Sequence, residues 1–397
     1  MKIAVVSGIC KRHDAISESV LGTIKALTVG INAECMLFAY ACDFDIPNFR
    51  RTDNATDLLM DAFFSNAELI IYHFGIYYEL FNAILLGNGR ARQIVFYHNI
   101  TPKELLSQSE RRLMLKSERQ IISMTMADEI WAASDSNKIH LETFGITSTK
   151  IQVVPLYIKD RFSAASLLKH REGAVRVLYI GRFVESKGLA DLIHAIARAR
   201  MVTRTSFTVD LLGNQTFSDQ RYLIGILELV SRFGLDDVIR FAGEVSDAEL
   251  DSYLLRANIF AIASYHEGFC VPLIEAMNAG CIPIAYAVGN IPTLVGDLGE
   301  LIEPGDWAGF GDKLSKLIDF FGDKQQLSTS THIEVNGKIG NIGDIDMRRR
   351  NHLEQFTFRA FSARVCNHVR RMGVKEKIET AALERDEAIL NRGRISS

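Results

Sequence analysis

Residues 264–285 read SYHEGFCVPLIEAMNAGCIPIA. The segment is apolar except around a turn, where Glu267 and Glu275 flank Gly268 and Pro272 with seven residues between the two carboxylates. NIFAIAS (258–264) before it and IPIAY (282–286) at its end are short apolar runs of strand character. Pro272 suits the first turn of a helix, because the N–H it lacks would have had no partner there. The stretch therefore predicts strand, glycine turn, helix and strand. The same alternation fills the chain. IAVVS (3–7), AECMLFAY (33–40), ELIIYH (68–73), QIVFYH (93–98), EIWAA (129–133) and IQVVP (151–155) form one series. After a polar stretch a second begins with VRVLYIG (175–181), FTVDLLG (207–213) and VIRFAG (238–243). Strands alternating with helical segments predict parallel α/β sheets, and the restart predicts two of them.

A chain of 397 residues exceeds the length at which a single core keeps growing, which agrees with two domains. The expected division is 1–165, 166–349 and a helical segment 350–397 that crosses back toward the first domain and ends in a charged tail. Residues 328–344, STSTHIEVNGKIGNIGD, read as a polar excursion or mobile loop. A net charge of −3 gives no reason to expect nucleic acid. The six cysteines contain no C-x-x-C pair and read as buried thiols of a reducing compartment. No apolar run approaches the roughly 18 residues that cross a bilayer. The opening MKIAVVSGICKRHD is broken by charge too early for a signal peptide. A cytoplasmic protein is expected.

In open parallel sheets, ligands bind beyond the carboxyl ends of the strands. Glu267 falls in such a loop, and Glu275 in the first turn of the helix that follows. A helix N-terminus favours an anion such as phosphate. Two carboxylates beside it make sense as acceptors for the hydroxyls of a sugar or ribose. The plainer alternative is that Glu275 complements the helix dipole and Glu267 is solvated. In YIGRFVESKGLADLI (179–193), Arg182 follows a strand and Lys187-Gly188 opens a helix. Two cations at such a turn can hold a diphosphate. Both are expected to be exposed.

Together, GRFVESKGL, FAGEVSDAELDSYLLRANIFAIAS and EGFCVPLIEAMNAGCIPIAYAVGNIPTLVGDLGELIEPGD resemble the retaining glycosyltransferases of family 4. The resemblance is continuous over about 175–310 and implies the GT-B fold, two Rossmann-like domains facing each other across a cleft. It implies a nucleotide-sugar donor, with Glu267 near the transferred sugar, Glu275 on the ribose, and Arg182 and Lys187 on the diphosphate. Backbone around Gly243 to Val245 would meet the nucleobase, and the N–H groups of Phe269, Cys270 and Val271 the sugar and phosphate. Many members have glycine where Cys270 stands. FYHNITPKELL (96–106) is similar to the His-Asn-Ile-Thr-Pro element of a subset of the family, in which the histidine, here His98, faces the donor sugar. Otherwise His98 is a histidine bonded within a strand end. Gly8 would let backbone approach the ligand closely. GDP-mannose and UDP-glucose both fit, with GDP-mannose favoured through that subset. The acceptor would be a glycan or a lipid-linked glycan of polysaccharide biosynthesis.

The triplets Asp43/Asp45 and Asp344/Asp346 could grip Mg²⁺ or Mn²⁺. Arg182 and Lys187 already supply positive charge, so no metal and no other cofactor is expected. An NAD-dependent oxidoreductase is disfavoured because the first turn, SGICKRH, lacks G-x-G-x-x-G. A non-catalytic scaffold with this fold is the other rival. Residues 103–124, KELLSQSERRLMLKSERQIISM, have helical periodicity with Leu105, Leu106, Leu113, Ile121 and Ile122 forming much of an apolar face. An ordinary helix packed on the first domain is the simpler reading. The alternative is a basic side that contacts an anionic membrane peripherally.

Overall fold

The computed structural model describes residues 1–105, 108–159, 165–167, 173–213, 220–323 and 331–373. The first sheet has seven strands: β1 (Lys2–Val6), β2 (Glu34–Ala39), β3 (Phe49–Arg51), β4 (Leu69–Phe74), β5 (Arg92–Tyr97), β6 (Glu129–Ala132) and β7 (Ile151–Val153). Their order is β3-β2-β1-β4-β5-β6-β7, and every pairing is parallel. The second has six: β8 (Val175–Ile180), β9 (Phe207–Leu212), β10 (Ile239–Gly243), β11 (Ile259–Ile262), β12 (Ile282–Tyr286) and β13 (Glu300–Ile302). They follow the order β10-β9-β8-β11-β12-β13, again all parallel. Helices cover both faces of such sheets, which explains the unbroken apolar runs: all six residues of β4 are buried.

Helix α1 (Ala15–Ile31) starts at Asp14, whose carboxylate accepts from Ser17 N at 2.8 Å. Helices α2 (Gln108–Ile121), α3 (Leu189–Val202), α4 (Val271–Asn278), α5 (Ile342–Leu353) and α6 (Phe358–Arg371) matter below. After α5 the chain returns to the first sheet, where α6 packs on α1. Cys366 Sγ donates to Ala26 O at 3.4 Å, and Arg370 to Gly30 O at 3.1 Å. No helix among the described residues is long and apolar enough to cross a membrane.

Two expectations are corrected. Within 328–344, the described residues form a β-hairpin rather than a loose loop: β14 (His332–Val335) pairs antiparallel with β15 (Lys338–Asn341), and α5 follows at once. Asn336 and Gly337 take φ of 49° and 72°, positive at both central positions as a two-residue hairpin turn demands. Asp346 lies in α5, its carboxylate held by Arg349 and Arg350. The apolar face expected over 103–124 is not the one that packs. Ile121 is fully buried, but Leu113 is 39 % exposed and Ile122 60 %. The inward side of α2 is partly polar: Ser117 Oγ accepts from Tyr77 N at 2.8 Å, and Gln120 bonds Tyr78 and Asn82. Leu106, residues 328–330 and the tail 374–397 lie outside the described residues.

Candidate active site

The strand ends of the two sheets meet at the turn 264–270. Ser134 Oγ of the first domain donates to Gly268 O at 2.7 Å, and Asn99 Nδ2 stands 2.6 Å from His266 Nε2. A Cβ at Gly268 would stand 2.5 Å from Asn99 Cβ, so only glycine admits this approach. The turn is clamped from its own side too, because Asn290 N donates to Glu267 O at 3.2 Å. Burial pushes His266 down to about 4 and leaves it neutral.

Glu267 is 7 % exposed and would be costly to bury without partners. Lys187 Nζ donates to its Oε1 at 2.7 Å, and Ser264 Oγ donates to the same oxygen at 2.9 Å. Lys187 reaches it because of Gly188, whose φ is 61° and where a Cβ would collide with the carbonyl oxygen of Ala263. The glycine lets α3 begin against the end of β11. The expectation that both cations are exposed is therefore half right. Arg182 is exposed, with Tyr179 OH donating to its carbonyl at 3.0 Å, whereas Lys187 is half-buried in an ion pair.

Cys270, the residue before α4, has φ 71° and ψ 65°, the left-handed conformation that glycine adopts freely. The cysteine thus keeps the backbone that glycine would have at this point. Phe269 is buried against Phe356, with ring centroids 5.8 Å apart, and Val271 is half-buried. Pro272 stands in the first turn as expected.

Glu275, unlike Glu267, faces a cavity. With Val271, Pro272, Leu250 and Ile180 it lines a cavity of about 200 Å³, closed from the first domain by Glu18 and Ser19 of α1 and by Tyr157 and Lys159 of the connection. Lys159 Nζ bonds Glu18 at 2.7 Å, so the cavity wall carries a neutralised pair. Gly243 ends β10 with φ 72°, its carbonyl accepting from Gly213 N at 2.9 Å, and Val245 packs nearby against the core. Gly8 is half-buried; its carbonyl accepts from Tyr40 N at 2.9 Å, and a Cβ there would press on Tyr78 at 3.3 Å.

His98 follows β5, and its N–H donates to Phe74 O at 2.8 Å. Its ring stacks on Phe96 at 4.5 Å and on His73 at 5.2 Å, with Nε2 3.0 Å from His73 Nδ1. Burial pushes His98 down to about 3. The partners His73, Asn99, His266, Ser134 and Ser264 were not singled out from the sequence. Asn99 and His266 stood inside the quoted motifs; His73 looked like one more residue of an apolar strand.

Two facing parallel-sheet domains of this kind define the GT-B fold. The chain superposes on the Anabaena protein HepE in complex with UDP-glucose with a TM-score of 0.70 and 18 % identity, covering 94 % of this chain and 100 % of that one. Residues 163–328 match the family model described as glycosyl transferases group 1. Among curated relatives, an MMP alpha-(1->4)-mannosyltransferase from Mycolicibacterium hassiacum is 29 % identical over 45 % of this chain and 42 % of its own length. An O-antigen chain mannosyltransferase B from Escherichia coli is 32 % identical over 32 % of this chain and 33 % of its own. The chain thus matches less than half the length of these relatives.

Proposed function

We propose that this protein is a retaining glycosyltransferase that moves a hexose, mannose from GDP-mannose being favoured, to a glycan or lipid-linked acceptor in polysaccharide biosynthesis. The observation that carries the reading is the Lys187–Glu267 pair at 2.7 Å, one strand away from the exposed Arg182 and beside the start of α4. A carboxylate and a cation stand together beside a helix N-terminus, and Arg182 belongs to the same strand-to-helix turn as Lys187; a sugar diphosphate would need all of these.

Breaking a glycosidic C–O bond builds positive charge on the sugar ring and negative charge on the leaving group. Arg182, Lys187 and the first N–H groups of α4 would stabilise the departing diphosphate. Glu267, held through Lys187 and Ser264, would accept sugar hydroxyls and favour the developing positive charge. Glu275 would accept the ribose hydroxyls in the cavity against α1, with the base near Gly243 and Val245. For retention, the acceptor attacks from the face the diphosphate leaves, and a diphosphate oxygen takes the acceptor proton. The positive charge already present makes a metal unnecessary in this scheme. Two relatives named as mannosyltransferases support mannose; the neighbour bound to UDP-glucose makes glucose the alternative outcome.

The outer side of α2 supports peripheral contact with an anionic membrane. Leu113 and Leu115 are exposed there among Arg112, Lys116 and Arg119, and Ile122 and Met126 are exposed in the turn that follows. The test of the function is release of nucleoside diphosphate from a panel that includes GDP-mannose and UDP-glucose. The expected result is turnover of one donor with its anomeric configuration kept in the product. A chain that neither binds nor turns over any nucleotide sugar is a scaffold, and the reading falls.

A further inference from the structure

His73 belongs to β4 and His98 follows β5, the neighbouring parallel strand. The register sets His73 opposite Phe96 and brings the two imidazoles face to face, with ring planes 12° apart and His73 Nδ1 3.0 Å from His98 Nε2. Each ring has a second nitrogen that is buried without a hydrogen-bond partner among the described residues: Nε2 of His73 and Nδ1 of His98. His73 is 1 % exposed, whereas His98 is half-buried.

A single proton lies between the facing nitrogens, so the tautomers of the two rings are coupled. If His73 donates from Nδ1, neutral His98 accepts at Nε2 and carries its own proton on Nδ1. If His98 donates from Nε2, neutral His73 carries its proton on Nε2. Either choice leaves one N–H unpaired. The first leaves it on the half-buried ring that stands by Gly75 and, across it, Ile16 at the start of α1. The second leaves it between strands on a ring that nothing can reach. Both nitrogens are buried, so either unpaired N–H is costly, and the first arrangement is preferred because a ligand can approach only the half-buried ring of His98 and give its N–H a partner.

We propose that His73 is a positioning residue: by donating from Nδ1, it holds His98 in the tautomer whose Nδ1–H is left for an oxygen of the transferred sugar. The inference rests on the reading of His98 as a group that faces the donor. A neutral imidazole suits this task better than a carboxylate would. A carboxylate at position 73 would draw a second proton onto His98 and set a cation beside the carbon where positive charge develops.

The test records two-bond ¹H–¹⁵N imidazole spectra of the full chain labelled at histidine, with His98 assigned through His98→Gln. The expected wild-type pattern for His98 is the Nδ1–H tautomer. His73→Phe should move it to the Nε2–H tautomer. His73→Asn, whose side-chain amide can donate from near the Nδ1 position, should restore it. With the donor that is turned over, His73→Phe should lower kcat about ten-fold, the loss of one hydrogen bond of about 1.4 kcal/mol, and leave affinity for free nucleoside diphosphate unchanged. His73→Asn should recover most of that rate. An Nε2–H pattern for His98 in the wild-type chain overturns the inference, and it does so even where His73→Phe fails to fold. An unchanged Nδ1–H pattern in a folded His73→Phe chain overturns it equally. Should the coupling hold while no nucleotide sugar is turned over, the proposed function falls and the role of His73 in setting the tautomer stands.

Discussion

Replacing Lys187 by Met removes the cation but keeps most of the aliphatic stem. Glu267, 7 % exposed, would then keep only Ser264 Oγ as a partner on its Oε1. Breaking a buried pair by deleting one partner costs about 3–5 kcal/mol. The Lys187 side chain is 19 % exposed, so water enters more easily than in a sealed pair, and about 2–3 kcal/mol is expected here. Turnover loses a further, separate quantity of about 2–4 kcal/mol, the worth of one preorganised group facing developing charge, or about 30- to 1,000-fold in rate. The double variant Lys187→Met/Glu267→Gln removes the orphaned charge and should recover 1–2 kcal/mol, about half of the lost stability, without recovering turnover. Urea unfolding gives the first quantity and steady-state kinetics the second. Arg182→Ala provides the contrast, since an exposed arginine should lose rate with little change in stability. The reasoning is refuted if Lys187→Met matches the wild type in both assays, or if the double variant is as unstable as the summed singles.

Glu275→Gln should weaken binding of free nucleoside diphosphate, measured by calorimetry, whereas Glu267→Gln should spare that binding and depress kcat; the reverse pattern would swap their roles. Cys270→Gly should be more stable than Cys270→Ala by about 1 kcal/mol in urea, because both lose the thiol and only glycine is at ease at φ 71°. His266 sits near 4 rather than 6.5 through burial, so the unfolded chain binds its proton first on acidification. Stability from this group is complete above pH 6.5 and should fall by about 1.4 kcal/mol per unit as pH drops toward 4, a slope that His266→Gln should flatten. Co-sedimentation with anionic vesicles at low salt should exceed that with neutral vesicles, at about 1 kcal/mol per basic residue, and Arg112→Glu with Arg119→Glu should abolish the difference.

The sheets were legible because strands covered on both faces must be apolar throughout, and a run such as ELIIYH has no other soluble use. The site turn was legible for a different reason: Gly268, Pro272 and Gly188 each answer a backbone demand that few residues meet. What could not be read depends on partners distant in sequence. Helix α2 buries Ser117 and Gln120 because backbone groups of Tyr77 and Tyr78 wait for them, a condition that periodicity cannot register. Lys187 looked like a surface cation until the fold brought Glu267, 80 residues later, within bonding distance. Strands β3 and β13 were passed over, being only three residues long with charge in each. The Asn336-Gly337 turn was visible as a pair, but its flanks are too polar to announce strands.

The seating of α6 on α1 bears on the order in which the chain is made. Cys366 and Ala26 are 340 residues apart, yet their contact closes the flank of the first domain. As the chain leaves the ribosome, that domain can lay down its seven strands long before the helix that covers α1 has been synthesised. The groove along Ala26 and Gly30 must therefore stay open while the whole second domain is translated and folds. A nascent chain of this protein passes through a long interval in which it offers a helix-sized apolar slot to its surroundings. Chaperone occupancy during translation should accordingly persist at this slot until residues 358–371 emerge.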